Sequence, residues 1–108
     1  MHILFDHGTP RGIARSSHGH TVKEAKAQGE DTLSNGDLLR AAEDASFDIL
    51  LTTDTSLPYQ QHLKGRKIAV VILSKNRWSL VRPLIGQIIA SVNAAKPGTF
   101  TVIQIPKK

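Results

Sequence analysis

Short apolar segments recur along the chain and are separated by polar or helical segments. Continuous apolar runs occupy Ile3 to Phe5, Ile49 to Leu51 and Ile68 to Leu73. Runs of this length are typical of strands that are buried on both faces of a parallel sheet. Weaker alternation of apolar and polar residues predicts two further strands, over His20 to Ala25 and Thr99 to Ile105. The pattern therefore predicts five strands.

Helical patterns lie between these strands. A short helix is predicted after Pro10, and an apolar stripe at helical spacing predicts a second helix over residues 34–45. Residues 59–64 predict a helix of one to two turns, and residues 80–92 a long amphipathic helix with Pro83 near its start.

Strands that alternate with helices predict a particular architecture. We expect a single α/β domain over residues 1–108, built as a three-layer α/β/α sandwich. Its sheet should have five mostly parallel strands, with helices on both faces. The 40% hydrophobic content is that of a globular domain, and no apolar run approaches the roughly 20 residues of a membrane span. The absence of cysteine excludes thiolate chemistry, and we predict a cytoplasmic protein without a membrane contact.

Charge is distributed unevenly along the sequence. All nine Asp and Glu residues lie at or before Asp54, where five Lys and Arg give that part a charge of −4. Residues 55–108 carry nine Lys and Arg and no acid, a charge of +9, which together gives the net +5. Such asymmetry favours a polyanionic partner such as nucleic acid, or an acidic protein, although basic surface helices and strands alone would also produce it.

Two of the predicted strands end in an aspartate. Asp6 follows the first strand and Asp54 the third, and the carboxyl ends of parallel strands share one edge of a sheet. Asp37, in the first turn of the second helix, could reach the same edge. Each acid also has a local interpretation: Asp6 and Asp54 as caps of the following turns, and Asp37 as part of a capping box with Ser34. Three carboxylates together would suit Mg²⁺ or Mn²⁺, which prefer oxygen ligands.

Two known families show acids in such places. Response-regulator receivers carry an acceptor aspartate followed by a Met-Pro pair, which Leu57 and Pro58 partly match, and a Lys-Pro late in the chain, as at Lys96. A receiver, however, needs two acids after the first strand and a lysine at the end of the last one. This chain has one acid there, and Lys96 precedes the last predicted strand.

The chain resembles PIN-like domains more closely, in particular small bacterial proteins similar to toxin ribonucleases of the VapC type. The most specific feature is Thr52 two residues before Asp54 at a strand end. The matching residues are Ile3 to Pro10, Leu33 to Leu39, Ala41 to Glu43, Phe47 to Asp54, Tyr59 to Gln61 with Leu63, Gly65 to Arg66, and Ile68 to Val71.

This resemblance implies a metal-dependent single-stranded RNA endonuclease, and the toxin of a toxin–antitoxin pair is one form that such an enzyme takes. Asp6, Asp37 and Asp54 would hold Mg²⁺ or Mn²⁺, and Thr52 would orient a metal-bound water. Ser56 and Asn35 stand where many PIN-like relatives have further acids. The alternative is a PIN-like module with little or no catalysis that binds RNA or a partner protein.

Four basic residues are candidates for contacts with RNA phosphates. Lys75 and Arg77 follow the fourth strand, and Arg11 and Arg40 lie in early turns of helices that begin near the same edge. Further partners would be an antitoxin protein and a second copy of the chain. The apolar residues of the long helix could serve a homodimer or only the core.

Overall fold

The computed structural model describes residues 2–6, 9–10, 12–15, 21–24, 35–57, 63 and 65–106. The strands are β1 (His2–Phe5), β2 (Thr21–Glu24), β3 (Ile49–Thr52), β4 (Ala69–Leu73) and β5 (Phe100–Ile103). The helices are α1 (Gly12–Arg15), α2 (Asn35–Asp44), α3 (Trp78–Val81) and α4 (Ile85–Ala94), with a 3₁₀ turn at Arg82–Leu84. The helix predicted over residues 59–64 lies outside the described residues.

All four strand pairings are parallel, and the strands lie in the order β2-β1-β3-β4-β5. The sheet is therefore the predicted five-stranded sheet, and it is entirely rather than mostly parallel. Every residue of β3 and β4 is buried. At the two edges of the sheet, β2 is partly exposed, and β5 is exposed except for its last residue. The continuous apolar runs thus belong to the strands that are covered on both faces.

Two apolar clusters lie on opposite faces of the sheet. Alternate residues of β1, β3 and β4 contribute to each cluster because successive side chains of a strand point to opposite faces. One cluster contains the buried residues of α1, α3 and α4, and the other contains Leu38, Leu39 and Ala42 of α2. Helices therefore pack on both faces, which is compatible with the predicted three-layer sandwich.

The C-terminal helical segment begins earlier than predicted. It starts at Trp78 rather than near residue 80, and a 3₁₀ turn that contains Pro83 separates α3 from α4. Proline lacks a backbone N–H, and its ring clashes with the carbonyl four residues earlier in an α-helix. The prediction of one continuous helix was therefore wrong at Pro83. Val81, Ile88 and Val92 still form a buried stripe against the sheet.

The end of α2 explains how the chain enters β3. Ser46 has a φ of 65°, and its N–H donates to Glu43 O, while the Phe47 N–H donates to Ala42 O. These two bonds form a Schellman motif with serine at the left-handed position. Phe47 is buried, and Asp48 leads directly into β3.

No helix among the described residues combines the length and the apolar character that a membrane crossing requires.

Candidate functional site

The strand order identifies one edge of the sheet as the place for a site. From β1 the chain moves to β2 on one side, and it returns to β3 on the other side of β1. Ligands of open parallel sheets bind in the crevice outside the carboxyl ends of the strands, where the order reverses. Asp6 follows β1 and Asp54 lies two residues beyond β3. Both sequence-predicted acids therefore lie at this switch point.

The hydroxyl group of Thr52 connects these two aspartates. It donates to Asp6 Oδ2 at 2.7 Å and accepts the backbone N–H of Asp54 at 3.1 Å. Thr52 itself is fully buried, and both bonds are partly buried because the two aspartates are half-exposed. A hydroxyl bond to a carboxylate is stronger than one between neutral groups. The hydroxyl proton is thus donated to Asp6, and this geometry holds the two aspartates in fixed relative positions.

The carboxylate of Asp54 is also held by the turn that follows it. Its Oδ1 accepts the Ser56 N–H at 2.9 Å and the Ser56 hydroxyl at 2.6 Å. The Leu57 N–H donates to the carbonyl of Asp54 at 3.3 Å. The turn-capping role that the sequence left open is therefore present. It does not exclude a ligand role, because metal-ligating carboxylates are themselves usually hydrogen-bonded.

Thr9, which follows β1 and which the sequence suggests as the N-cap of the first helix, is attached to β3. Thr9 is buried, and its hydroxyl donates to Leu51 O at 3.1 Å. The same carbonyl accepts the Asp6 N–H at 2.9 Å. A threonine three residues after a strand-end acid was the available sequence signal. Its partner, however, lies 42 residues away and could not be identified without the strand order.

The third predicted acid has a different environment. The side chain of Asp37 is 61% exposed, and its Oδ1 lies 4.0 Å from the guanidinium of Arg40, which is 73% exposed. Within the described ranges, no three His, Asp or Glu side chains form a group that could hold a metal ion. The structure thus brings Asp6 and Asp54 together through Thr52, and it does not place Asp37 in a three-carboxylate cluster with them.

An open cleft lies at the same edge of the sheet as the two aspartates. Its volume is about 510 Å³, and it is lined by Thr53, Ser74, Lys75, Asn76, Arg77 and Leu80. Thr53 joins Thr52 to Asp54, and Lys75 and Arg77 follow β4, so the cleft spans the carboxyl ends of β3 and β4. Among the described residues, neither Lys75 nor Arg77 has an acidic partner.

The sequence identified the two cations of this cleft as candidates, but not its three polar residues, Thr53, Ser74 and Asn76. Asn76 is exposed between the cations, and Ser74 accepts the Ile105 N–H at 2.7 Å. The position of Asn76 directly after a buried strand was a usable signal for it. Arg11, the remaining candidate for a phosphate contact, lies outside the described residues.

A further ionisable group lies near the amino end of β4. Burial raises the pKa of Glu43, but hydrogen bonds from the Lys67 N–H and the Arg66 guanidinium outweigh this effect. The positive charges of both residues act in the same direction, so the pKa of Glu43 lies below its ordinary value of 4.5. This carboxylate stabilises the fold at the edge opposite the candidate site.

The fold and the site together define a parallel α/β domain with a strand order shared by flavodoxin-like sheets, with two aspartates at its switch point and a cleft with two cations at the carboxyl ends of β3 and β4. Comparison of the chain with protein-family models, with curated proteins and with solved structures gives no match. Because many unrelated functions share such folds, the function has to be argued from the site itself.

Proposed function

We propose that this protein is a metal-dependent single-stranded RNA endonuclease of the PIN-like type. The observation that carries the proposal is the buried Thr52 hydroxyl, which donates to Asp6 and accepts from Asp54 at the switch point of the sheet. The bond to Asp54 is local, but the bond to Asp6 joins residues 46 apart in sequence, and neither local turn needs it. It is the kind of support that keeps metal-binding or catalytic groups in position.

The donor set at this edge suits a hard divalent cation. Mg²⁺ is usually bound through one or two carboxylates, several waters and substrate phosphates. Asp6 and Asp54 provide two carboxylates, so the described residues fit Mg²⁺ or Mn²⁺ without a complete cage of protein ligands. Asp37 stays a prediction as a third ligand. The ion would lower the pKa of a bound water and neutralise charge on the phosphate.

The protein's own groups would bind and orient the RNA. Lys75 and Arg77, which have no acidic partner among the described residues, would neutralise phosphates at the same sheet edge as the two aspartates, and Arg40 lies on α2 beside Asp37. The role of Thr52 would then be to position Asp6 and Asp54, because its proton is committed to Asp6. The basic second half of the chain would add attraction that does not depend on RNA sequence.

The test is cleavage of a panel of labelled single-stranded RNAs with Mg²⁺ or Mn²⁺. We expect Asp54→Asn to lower the cleavage rate by at least about 100-fold, on the scale of a lost electrostatic contribution to a transition state, and a chelator to abolish cleavage. Asp44→Asn is the matched control, because Asp44 is an exposed acid in the last turn of α2. Wild-type protein that binds the metal and cleaves no RNA would refute the nuclease proposal.

The toxin–antitoxin interpretation is a separate part of the proposal. It predicts that expression of the wild type stops the growth of a bacterial host, whereas Asp54→Asn does not. A co-expressed neighbouring small protein should restore growth and co-purify with the chain as its antitoxin. Normal growth with an active nuclease would leave the enzyme and remove the toxin role. The homodimer stays a prediction, tested by sedimentation of the purified protein.

A second candidate is a PIN-like module that binds RNA or a partner protein with little or no catalysis. It is favoured by one observation, the lack of a three-carboxylate group within the part of the chain that the structure describes. RNA binding that weakens with salt, together with absent cleavage in the same metal-loaded sample, would support this module. Binding that is independent of salt would count against its nucleic-acid version.

A further inference from the structure

The single tryptophan of the chain lies directly after the cationic segment of the cleft. Trp78 is the first residue of α3, follows Arg77 in sequence, and is 38% exposed. It is one of the few large apolar side chains with this degree of exposure among the described residues. Trp78 thus leaves more than a third of its surface exposed, directly after two cations that have no acidic partner among the described residues.

Gly12 lies so close to this ring that there is no room for a side chain between them. A Cβ atom built on Gly12 would lie 2.4 Å from Cη2, 2.4 Å from Cζ2 and 2.9 Å from Cε2 of Trp78. These three distances are those of a point above the face of the six-membered ring, since a point beyond its edge would be much farther from Cε2. The backbone of α1 therefore supports one face of the indole. Any side chain at residue 12 would displace the ring.

The supported ring directly follows the cations of the cleft in sequence. Lys75, Asn76 and Arg77 line the cleft that reaches Thr53, the residue before Asp54, and Trp78 continues the same segment. Proteins that bind single strands combine cations along the phosphate backbone with aromatic rings on which bases stack. Arg and Lys alone would explain attraction to any polyanion, but a partly exposed, supported indole adds a surface that suits a planar base.

We propose that Trp78 is a stacking platform for a base of single-stranded RNA, with Lys75 and Arg77 holding the adjacent phosphates. This inference rests on the proposed RNA-binding function and applies to either of its versions, nuclease or binding module. Stacking of this kind tolerates any base, because every base has a π-face. The platform therefore contributes affinity and the position of the strand rather than sequence preference.

The experiment uses the intrinsic fluorescence of the protein, which reports on one residue because the chain has one tryptophan. The wild type is titrated in chelator with short oligouridylate and oligoadenylate, and with an abasic oligonucleotide of the same length and charge. We expect both base-containing strands to quench Trp78 and the abasic strand to bind more weakly without quenching. Chelator prevents metal-dependent cleavage during the titration.

Variants then separate stacking from charge. Anisotropy of labelled oligouridylate should show that Trp78→Leu weakens binding by about 5- to 150-fold, the loss expected for one stacked base. Trp78→Phe should retain part of the affinity, and Gly12→Ala should weaken binding because it displaces the indole. Phe100→Leu is the matched control, because Phe100 is 46% exposed on the edge strand β5 and should leave binding unchanged.

The outcomes distinguish this inference from the proposed function. Equal affinity for abasic and base-containing strands, with no effect of Trp78→Leu, would overturn the stacking role even if the wild type cleaves RNA. Base-dependent quenching without cleavage in Mg²⁺ would support stacking and refute the nuclease. A wild type that binds none of the oligonucleotides would overturn both proposals, and binding of an acidic protein instead would then explain the basic half.

Discussion

Thr52→Val tests whether one buried hydroxyl holds the candidate site together. Valine has nearly the same shape as threonine, so the substitution removes the hydroxyl without leaving a large cavity. The hydroxyl donates to a carboxylate at 2.7 Å and accepts a backbone N–H at 3.1 Å in a fully buried position. Both partners would lose a bond in a place that water reaches poorly.

The size of the effect follows from these two bonds. A hydrogen bond to a charged group contributes about 1.5–3 kcal/mol and a neutral one about 0.5–1.5 kcal/mol. The two losses overlap, and the buried methyl group of valine offsets part of them. We therefore expect Thr52→Val to lower the free energy of unfolding by about 2–3 kcal/mol, whereas Thr52→Ser should retain most of the stability.

Thr9→Val is the matched control, because Thr9 is also buried and donates only to a neutral carbonyl, at 3.1 Å. We expect it to cost about 1 kcal/mol. Urea unfolding with linear extrapolation measures all three variants, and unchanged slopes would show that the denatured states are comparable. A loss below about 0.5 kcal/mol for Thr52→Val, or equal losses at the two threonines, would refute the bridging role.

Three further predictions concern the edges of the fold. The pKa of Glu43 is lowered in the folded state, so this carboxylate stabilises the fold above its ordinary pKa of 4.5, and the stabilisation is lost as the pH falls through the folded value. The Glu43→Gln variant should therefore be less stable than the wild type near neutral pH and should lose less stability on acidification. Urea unfolding at several pH values measures this, and parallel pH profiles of the two proteins would contradict it. Gly98→Ala should lower the free energy of unfolding by about 1 kcal/mol more than Gly65→Ala does. Both residues have positive φ, but only at Gly98 would a Cβ lie 3.2 Å from a backbone oxygen. Equal unfolding midpoints of the two variants would show that this oxygen moves away without cost. Lys75→Gln should weaken the binding of RNA of any sequence, and it should lower the slope of log affinity against log salt concentration by about 1. Anisotropy titrations at several salt concentrations measure this slope. An unchanged slope would show that Lys75 does not contact a phosphate.

The bonds that hold the candidate site together predict which substitutions will leave the site intact. One key bond joins β3 to the residue after β1, and another lies within the turn that follows β3. Neither bond involves the helices on the two faces of the sheet. Conservative changes within the apolar cluster under α2 should therefore alter stability more than the relative positions of Asp6 and Asp54. The site and the layer that covers the sheet are supported by different parts of the chain.

Much of the fold followed from the order of residues alone. The apolar runs identified β1, β3 and β4 because strands covered on both faces need no polar alternation. The acids at the ends of two such strands were predicted to share an edge, since the carboxyl ends of parallel strands meet there. The cations after β4 were assigned to that edge by the same argument. The uneven charge of the two halves is likewise a property of the sequence.

Tertiary structure decided the features that join distant parts of the chain. The strand order makes β3 the neighbour of β1, and only this neighbourhood lets the Thr52 hydroxyl reach Asp6, 46 residues away. The support of Trp78 by Gly12 likewise depends on the packing of two helices on one face. Local patterns fix which residues form strands and turns, because propensity and periodicity act over a few neighbours. Which strand lies beside which is set by burial of the whole core, and the chemistry of this site depends on that choice.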